Sequence, residues 1–212
     1  MRLAVFASGS GSNAEVILRA VAGGDVAGSV ELVVTNRPDA GVLDRADRFG
    51  VPTHVIPAGK FADGDHILGV LAAHDVDTIA LAGYLKLVPT PLVRHFRHRI
   101  INVHPALLPA FGGHGMYGMN VHRAVIESGV RWSGATLHFV DESYDTGPII
   151  LQAPVPVLPE DTPKMLASRV LEAEHRLYPQ ALRLLAQNRL RIDGRRVYID
   201  PVTPSSDTGN TA

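Results

Sequence analysis

The sequence predicts an α/β fold, a Rossmann-like, mostly parallel sheet with helices on both faces. Two observations carry that expectation. Short apolar runs alternate with helix-like segments through the first half of the chain, the order that βαβ units impose. The runs are continuously apolar, as in strands covered on both faces, rather than alternating with polar residues. No linker-like stretch interrupts residues 1–200, so a single domain is expected there. Residues 201–212, rich in Pro, Ser, Thr, Gly and Asn, read as a disordered tail.

The elements follow in order. Residues 3–7 form an apolar strand and 14–21 a helix with Val16, Ile17, Ala20 and Val21 on one face. A second strand spans 30–35, and a helix spans 42–49 before Gly50. A third strand covers 53–56, a helix 67–73, a fourth strand 78–82 and a fifth 99–103. Beyond these, 117–128 is helical, and 135–140 and 149–157 are strands around a turn-rich loop. A long helix opens near Thr162-Pro163, a Thr cap followed by Pro in the first turn. Leu166, Val170, Ala173, Leu177, Ala181 and Leu184 recur at three- and four-residue steps along it, the stripe of an amphipathic helix. Residues 189–192 and 196–199 flank Asp193-Gly194, a hairpin signal.

Composition narrows the function. The chain carries 20 Lys and Arg against 21 Asp and Glu, a net charge of −1. Nucleic-acid wrapping and pinning to anionic lipid both require a basic surplus, so neither partner is expected. With no cysteine, disulfides, thiolate zinc sites and a Cys nucleophile are excluded. No apolar run reaches the roughly 18 residues of a membrane span, and the opening apolar run is too short for a signal-peptide core. A cytoplasmic protein is expected.

Three motifs carry chemistry. Ser8-Gly9-Ser10-Gly11-Ser12-Asn13 lies between the first strand and the first helix. Glycines allow a tight turn there, and backbone N–H groups at a helix start favour an anion such as phosphate. The spacing of Gly9, Gly11 and Ala14 also fits a dinucleotide fingerprint, but the second strand ends at Asn36-Arg37 without an acidic residue for a ribose, although Arg37 would suit a 2′-phosphate. Next, Asn102 and His104 sit at the carboxyl end of the fifth strand, on one side of it. Asn can hold a developing oxyanion and His can move a proton; a His satisfied by backbone is the plain alternative. Finally, Asp145 and Gly147 lie in the loop between two later strands. Alone this reads as a turn, and spacing does not decide whether Asp145 reaches His104. A carboxylate beside His104 would raise its pKa. Residues 94–99 read as a solvated helix face. His114 and His122 lack neighbours at metal-ligand spacing, so no metal is expected.

In this order, the motifs resemble the folate-dependent phosphoribosylglycinamide formyltransferases of purine synthesis. The matching stretches are residues 7–13, 81–87, 101–109 and 134–147, then Glu174-His175 and Tyr178-Pro179. The Asn-x-His-Pro block is shared by the wider superfamily of 10-formyltetrahydrofolate hydrolases and transferases; the Gly-Ser-Gly-Ser-Asn loop points to the glycinamide ribonucleotide branch.

The resemblance implies roles. Asn102, His104 and Asp145 would be catalytic, and Asp145 would keep His104 protonated. Gly11, Ser12 and Asn13 would hold the ribonucleotide phosphate, while Gly83 and Glu174 would contact the rest of that substrate. Leu85, Lys86, Leu87, Val88, Asp141, Glu142, Ser143, Tyr144 and Asp145 would line the folate pocket. The co-substrate would be 10-formyltetrahydrofolate, with no metal; the partners would be small molecules and a possible second copy in a homodimer. Two departures stand out. The stretch 111–120 is longer than in compact members, and the folate-contacting Arg after the third strand has no counterpart, with Lys60 or Lys86 as substitutes. A formyltetrahydrofolate deformylase is the alternative, disfavoured because such hydrolases carry an N-terminal regulatory domain. An NADP-binding Rossmann protein is a further alternative, which would leave Asn102, His104 and Asp145 unexplained.

Overall fold

The computed structural model describes residues 1–201 of the chain; apart from Pro201, the expected tail lies outside the described residues. Five strands, β1 (Arg2–Phe6), β2 (Ser29–Thr35), β3 (Thr53–Val55), β4 (Thr78–Leu81) and β5 (Ile100–His104), pair in parallel. Two more, β6 (Trp132–Phe139) and β7 (Ile149–Pro156), extend the sheet antiparallel. The order is β3-β2-β1-β4-β5-β6-β7. The chain therefore reverses its direction of travel between β1 and β4, and ligands in open α/β sheets bind at the carboxyl ends of strands beside such a reversal.

Side-chain alternation gives the sheet two apolar faces. Leu3, Val5, Ala80, Ile101 and Val103 pack on one side with α1 (Ser12–Ala22), α5 (Met119–Glu127) and α6 (Pro163–Ala186). Ala4, Phe6, Ile79, Leu81 and Ile100 pack on the other with α3 (Gly64–Ala73) and α4 (Thr90–His95). A short helix, α2 (Val42–Arg48), packs against α1. The hairpin of β8 (Leu190–Asp193) and β9 (Arg196–Ile199) forms a separate two-stranded sheet.

Boundaries differ from the sequence expectation where side chains cap a helix. Asp63 accepts a hydrogen bond from the His66 N–H, so α3 starts at Gly64 rather than at residue 67. Thr162 caps α6 through the Met165 N–H, as its Thr-Pro opening indicated. Helix α4 is an addition: its six residues are too short for periodicity to reveal.

Candidate active site

β5 and β6 build the centre of the site. Their antiparallel register sets Asn102 opposite His138 and His104 opposite Thr136. His104 is only 3% exposed. Its Nε2 lies 2.8 Å from the Phe111 carbonyl oxygen; a carbonyl can only accept, so Nε2 carries the hydrogen. Its Nδ1 faces Asp145 Oδ2 at 3.4 Å. Asp145 reaches it from the β6–β7 loop with a left-handed φ of 56°, a conformation that Asp tolerates better than most residues. The Gly113 N–H donates to the same Oδ2 at 2.9 Å. Gly112 permits that approach, because a Cβ there would sit 3.2 Å from Asp145 Cβ and 2.5 Å from a Leu108 methyl. Behind the turn after β5, the buried Thr136 hydroxyl donates to the Ala106 carbonyl and accepts from the Leu108 N–H.

The electrostatics correct one expectation. Asp145 does pull the His104 pKa upward, as does the Phe111 carbonyl, but burial outweighs both and leaves it below the ordinary 6.5. The free site therefore holds His104 mostly neutral at pH 7, instead of charged by its carboxylate neighbour.

His138 orders the remaining group. Its Nδ1 lies 2.8 Å from the Phe139 carbonyl oxygen and so carries the hydrogen. Its Nε2 is then an acceptor, at 3.1 Å from Asn102 Nδ2. That bond fixes which way the Asn102 amide faces and leaves its second N–H for another acceptor. His138 Nε2 is also 3.7 Å from Asp145 Oδ1. Burial pushes the His138 pKa down, in keeping with its role as a neutral acceptor.

The turn before α1 adjoins this centre. Gly11 caps α1 with φ 76°. Ser8 laces the turn to the segment after β4: its N–H donates to the Gly83 carbonyl and its hydroxyl accepts from the Leu85 N–H. Asn13 is buried and donates through Nδ2 to Glu174 Oε2 of α6 at 2.6 Å. The Asn13 side chain is thus committed to Glu174, and its buried Oδ1 has no partner. Burial raises the Glu174 pKa from 4.5 to about 7, against the opposing effect of the Asn13 hydrogen bond.

A cavity of about 670 Å³ joins these parts. Its walls include Asn102, His104, Asp145, Asn13, Gly83 and Glu174, with Leu85, Lys86, Leu87 and Val88 on one segment and Asp141, Ser143 and Tyr144 on another. Among the described residues no group of three or more His, Asp or Glu is placed to hold a metal ion, and no helix is long and apolar enough to cross a membrane.

Comparison with known proteins places this arrangement. Residues 1–182 match the family described as formyl transferase. The chain belongs to the formyl transferase family. Its relatives include phosphoribosylglycinamide formyltransferases. A chloroplastic one from Arabidopsis thaliana is 48% identical over 195 residues, covering 90% of this chain and 67% of that protein. One from Haemophilus influenzae is 35% identical, covering 94% of this chain and 93% of the other. The crystal structure of glycinamide ribonucleotide transformylase 1 from Symbiobacterium toebii superposes with a TM-score of 0.89 at 43% identity, covering 95% and 94% of the two chains. A formyltetrahydrofolate deformylase from Pseudomonas syringae, at 23% identity and TM-score 0.85, shares the fold.

In this formyl transferase, most of the residues singled out from sequence converge on one cavity. Three do not line it: Gly11 packs against Val42, Ser12 is half-buried at the helix start, and Glu142 is exposed and pairs with Arg94 at 3.0 Å. Lys86 lines the rim with its ammonium 4.7 Å over the Phe61 ring. Lys60 instead pairs with Asp63. Sequence reasoning missed His138 and His122, both cavity-lining and buried. For His138 the only signal was its place within the 134–147 stretch; the register with Asn102 is tertiary information.

His138→Leu removes the acceptor that orients Asn102. We expect kcat to fall by about 10²-fold, the scale set by slight misplacement of a catalytic group, with the KM values nearly unchanged. His138→Gln, which keeps polar atoms at similar reach, should recover part of the loss. Steady-state kinetics of the two variants checks this.

Proposed function

We propose that the chain transfers the formyl group of 10-formyltetrahydrofolate to the amine of glycinamide ribonucleotide, in de novo purine synthesis. The observation that carries this reading is one cavity lined by Asn13, Gly83 and Glu174, by Asn102, His104 and Asp145, by the 85–88 segment and by Asp141, Ser143 and Tyr144. A site for a phosphorylated amine and a site for a large apolar-ringed donor thus meet at an acid–base centre. The named relatives support the same assignment.

The chemistry follows from the groups present. The substrate amine attacks the formyl carbon, and charge collects on the formyl oxygen. The free N–H of Asn102 is the donor for that oxygen. The amine must lose a proton and the folate nitrogen must gain one as its bond to carbon breaks. Neutral His104 suits both steps, accepting a proton as the tetrahedral species forms and returning it to the leaving nitrogen. Asp145 then acts on the transient imidazolium, stabilising it when it appears rather than in the resting site. His104 carries its hydrogen on Nε2 against the Phe111 carbonyl; to accept a substrate proton at Nε2 it must leave that partner and carry its hydrogen on Nδ1, where Asp145 faces it.

Glu174 gives the reading a pH signature. Below about pH 7 its carboxyl is protonated, and above that it is ionised. An ionised carboxylate is the stronger acceptor for ribose hydroxyls. Affinity for glycinamide ribonucleotide should therefore rise as pH increases through about 7. Glu174→Gln should flatten that rise and weaken binding about 10-fold. Calorimetric titration across pH, with the dephosphorylated riboside as a control for ionisation of the phosphate, checks it.

The function itself is tested by measuring tetrahydrofolate release from 10-formyltetrahydrofolate with and without glycinamide ribonucleotide. Release that depends on the ribonucleotide supports transfer; equal release without it means hydrolysis.

A further inference from the structure

Helix α2 holds the turn before α1 by its carbonyl groups. The Val42 N–H donates to the Gly9 carbonyl at 3.2 Å. Arg45 Nε donates to the Ser10 carbonyl at 2.6 Å. The contact is close: a Cβ on Gly11 would lie 2.7 Å from the Val42 side chain. The peptide bonds here are trans, so the C=O and N–H of each unit point in opposite directions. Drawing the Gly9 and Ser10 carbonyls toward α2 therefore turns the Ser10 and Gly11 N–H groups away from it. Neither N–H donates to any acceptor among the described residues. Successive N–H groups left without an acceptor form an anion-binding concavity. Ser10 and Asn13 line the cavity, and the buried Asn13 Oδ1 lacks a partner there, a second mark of a ligand at this turn.

We propose that Arg45 is a positioning residue for phosphate recognition, acting through the Ser10 carbonyl; this rests on the assignment of the turn to the ribonucleotide phosphate. The rival role is neutralisation of Glu15, with which the Arg45 guanidinium also pairs. Glu15 is already served by Arg19 at 2.6 Å and by Arg48 at 3.7 Å. The contact that neutralisation does not explain is the Nε–H on a backbone carbonyl.

Two conservative substitutions separate the roles. Arg45→Gln places an N–H donor the same number of bonds from the backbone as Nε, without the charge. Arg45→Lys keeps the charge and has carbon at that position. Titrations use glycinamide ribonucleotide and its dephosphorylated riboside. Arg45→Lys should bind the ribonucleotide about 10-fold more weakly, the loss of one charge-assisted hydrogen bond. Arg45→Gln should stay within about 3-fold of wild type. Affinity for the riboside, and kcat at saturation, should not change in either variant. The opposite order, with Lys equal to wild type and Gln impaired, would overturn the proposal. So would equal losses for ribonucleotide and riboside, or no loss in either variant. Wild-type protein that binds the riboside as tightly as the ribonucleotide would instead overturn the phosphate assignment, and the proposal with it.

Discussion

Replacing Asp145 with Asn is expected to lower kcat by about 10²–10⁴-fold with little change in substrate affinity. Asp145 Oδ2 lies 3.4 Å from His104 Nδ1, with both side chains almost fully out of solvent. In that setting an imidazolium is costly, and burial already holds the His104 pKa below 6.5 against the pull of Asp145. Asparagine keeps the size but removes the charge that opposes burial. The proton-accepting step then forms an unpaired buried cation. The sign of the pH effect follows. The His104 pKa should drop further in Asp145→Asn, so the acid limb of kcat, where protonation removes the neutral base, moves to lower pH. His104→Ala should be at least as damaging. The double variant should fall far short of the product of the single effects, because the two groups act as a unit. Formyl transfer by the three variants at saturating substrates measures this. Full multiplication would return Asp145 to a turn residue.

Asn102→Ala should reduce kcat by about 10²–10³-fold, the range found when one oxyanion donor is removed. The amide is held by His138 Nε2 at 3.1 Å, so its second N–H is aimed before substrate arrives. Asn102→Asp should be as damaging as Ala. It loses the donor, sets a carboxylate against the His138 lone pair, and adds negative charge where an oxyanion must form. His138→Leu should add little to Asn102→Ala, since its effect runs through the same amide. The kcat values of the single and double variants check both statements.

The parallel half of the sheet was legible because its strands are buried on both faces and appear as short apolar runs. The catalytic side chains on β5 were legible because alternation alone places Asn102 and His104 on one side. Other features depend on tertiary contact. Asn13 meets Glu174 across 161 positions, and His138 meets Asn102 only through the β5–β6 register. Asp145 reaches His104 through a left-handed backbone and two neighbouring glycines, which local sequence cannot tell from an ordinary turn. The direction of the His104 pKa is set by the fold for the same reason. A carboxylate neighbour can be inferred from a motif, whereas the depth of burial that outweighs it belongs to the folded chain. Glu142 shows the converse: it sits within a motif, yet its side chain turns to Arg94.

The central claim is that the formyl group passes to the amine of glycinamide ribonucleotide rather than to water. Its most direct measurement follows a ¹³C label in the formyl group of 10-formyltetrahydrofolate by NMR, with enzyme and an excess of glycinamide ribonucleotide. Quantitative appearance of the label in the formamide of the ribonucleotide, with no formate when the ribonucleotide is omitted, is the expected result. Label accumulating in formate at the same rate with and without the ribonucleotide would contradict it.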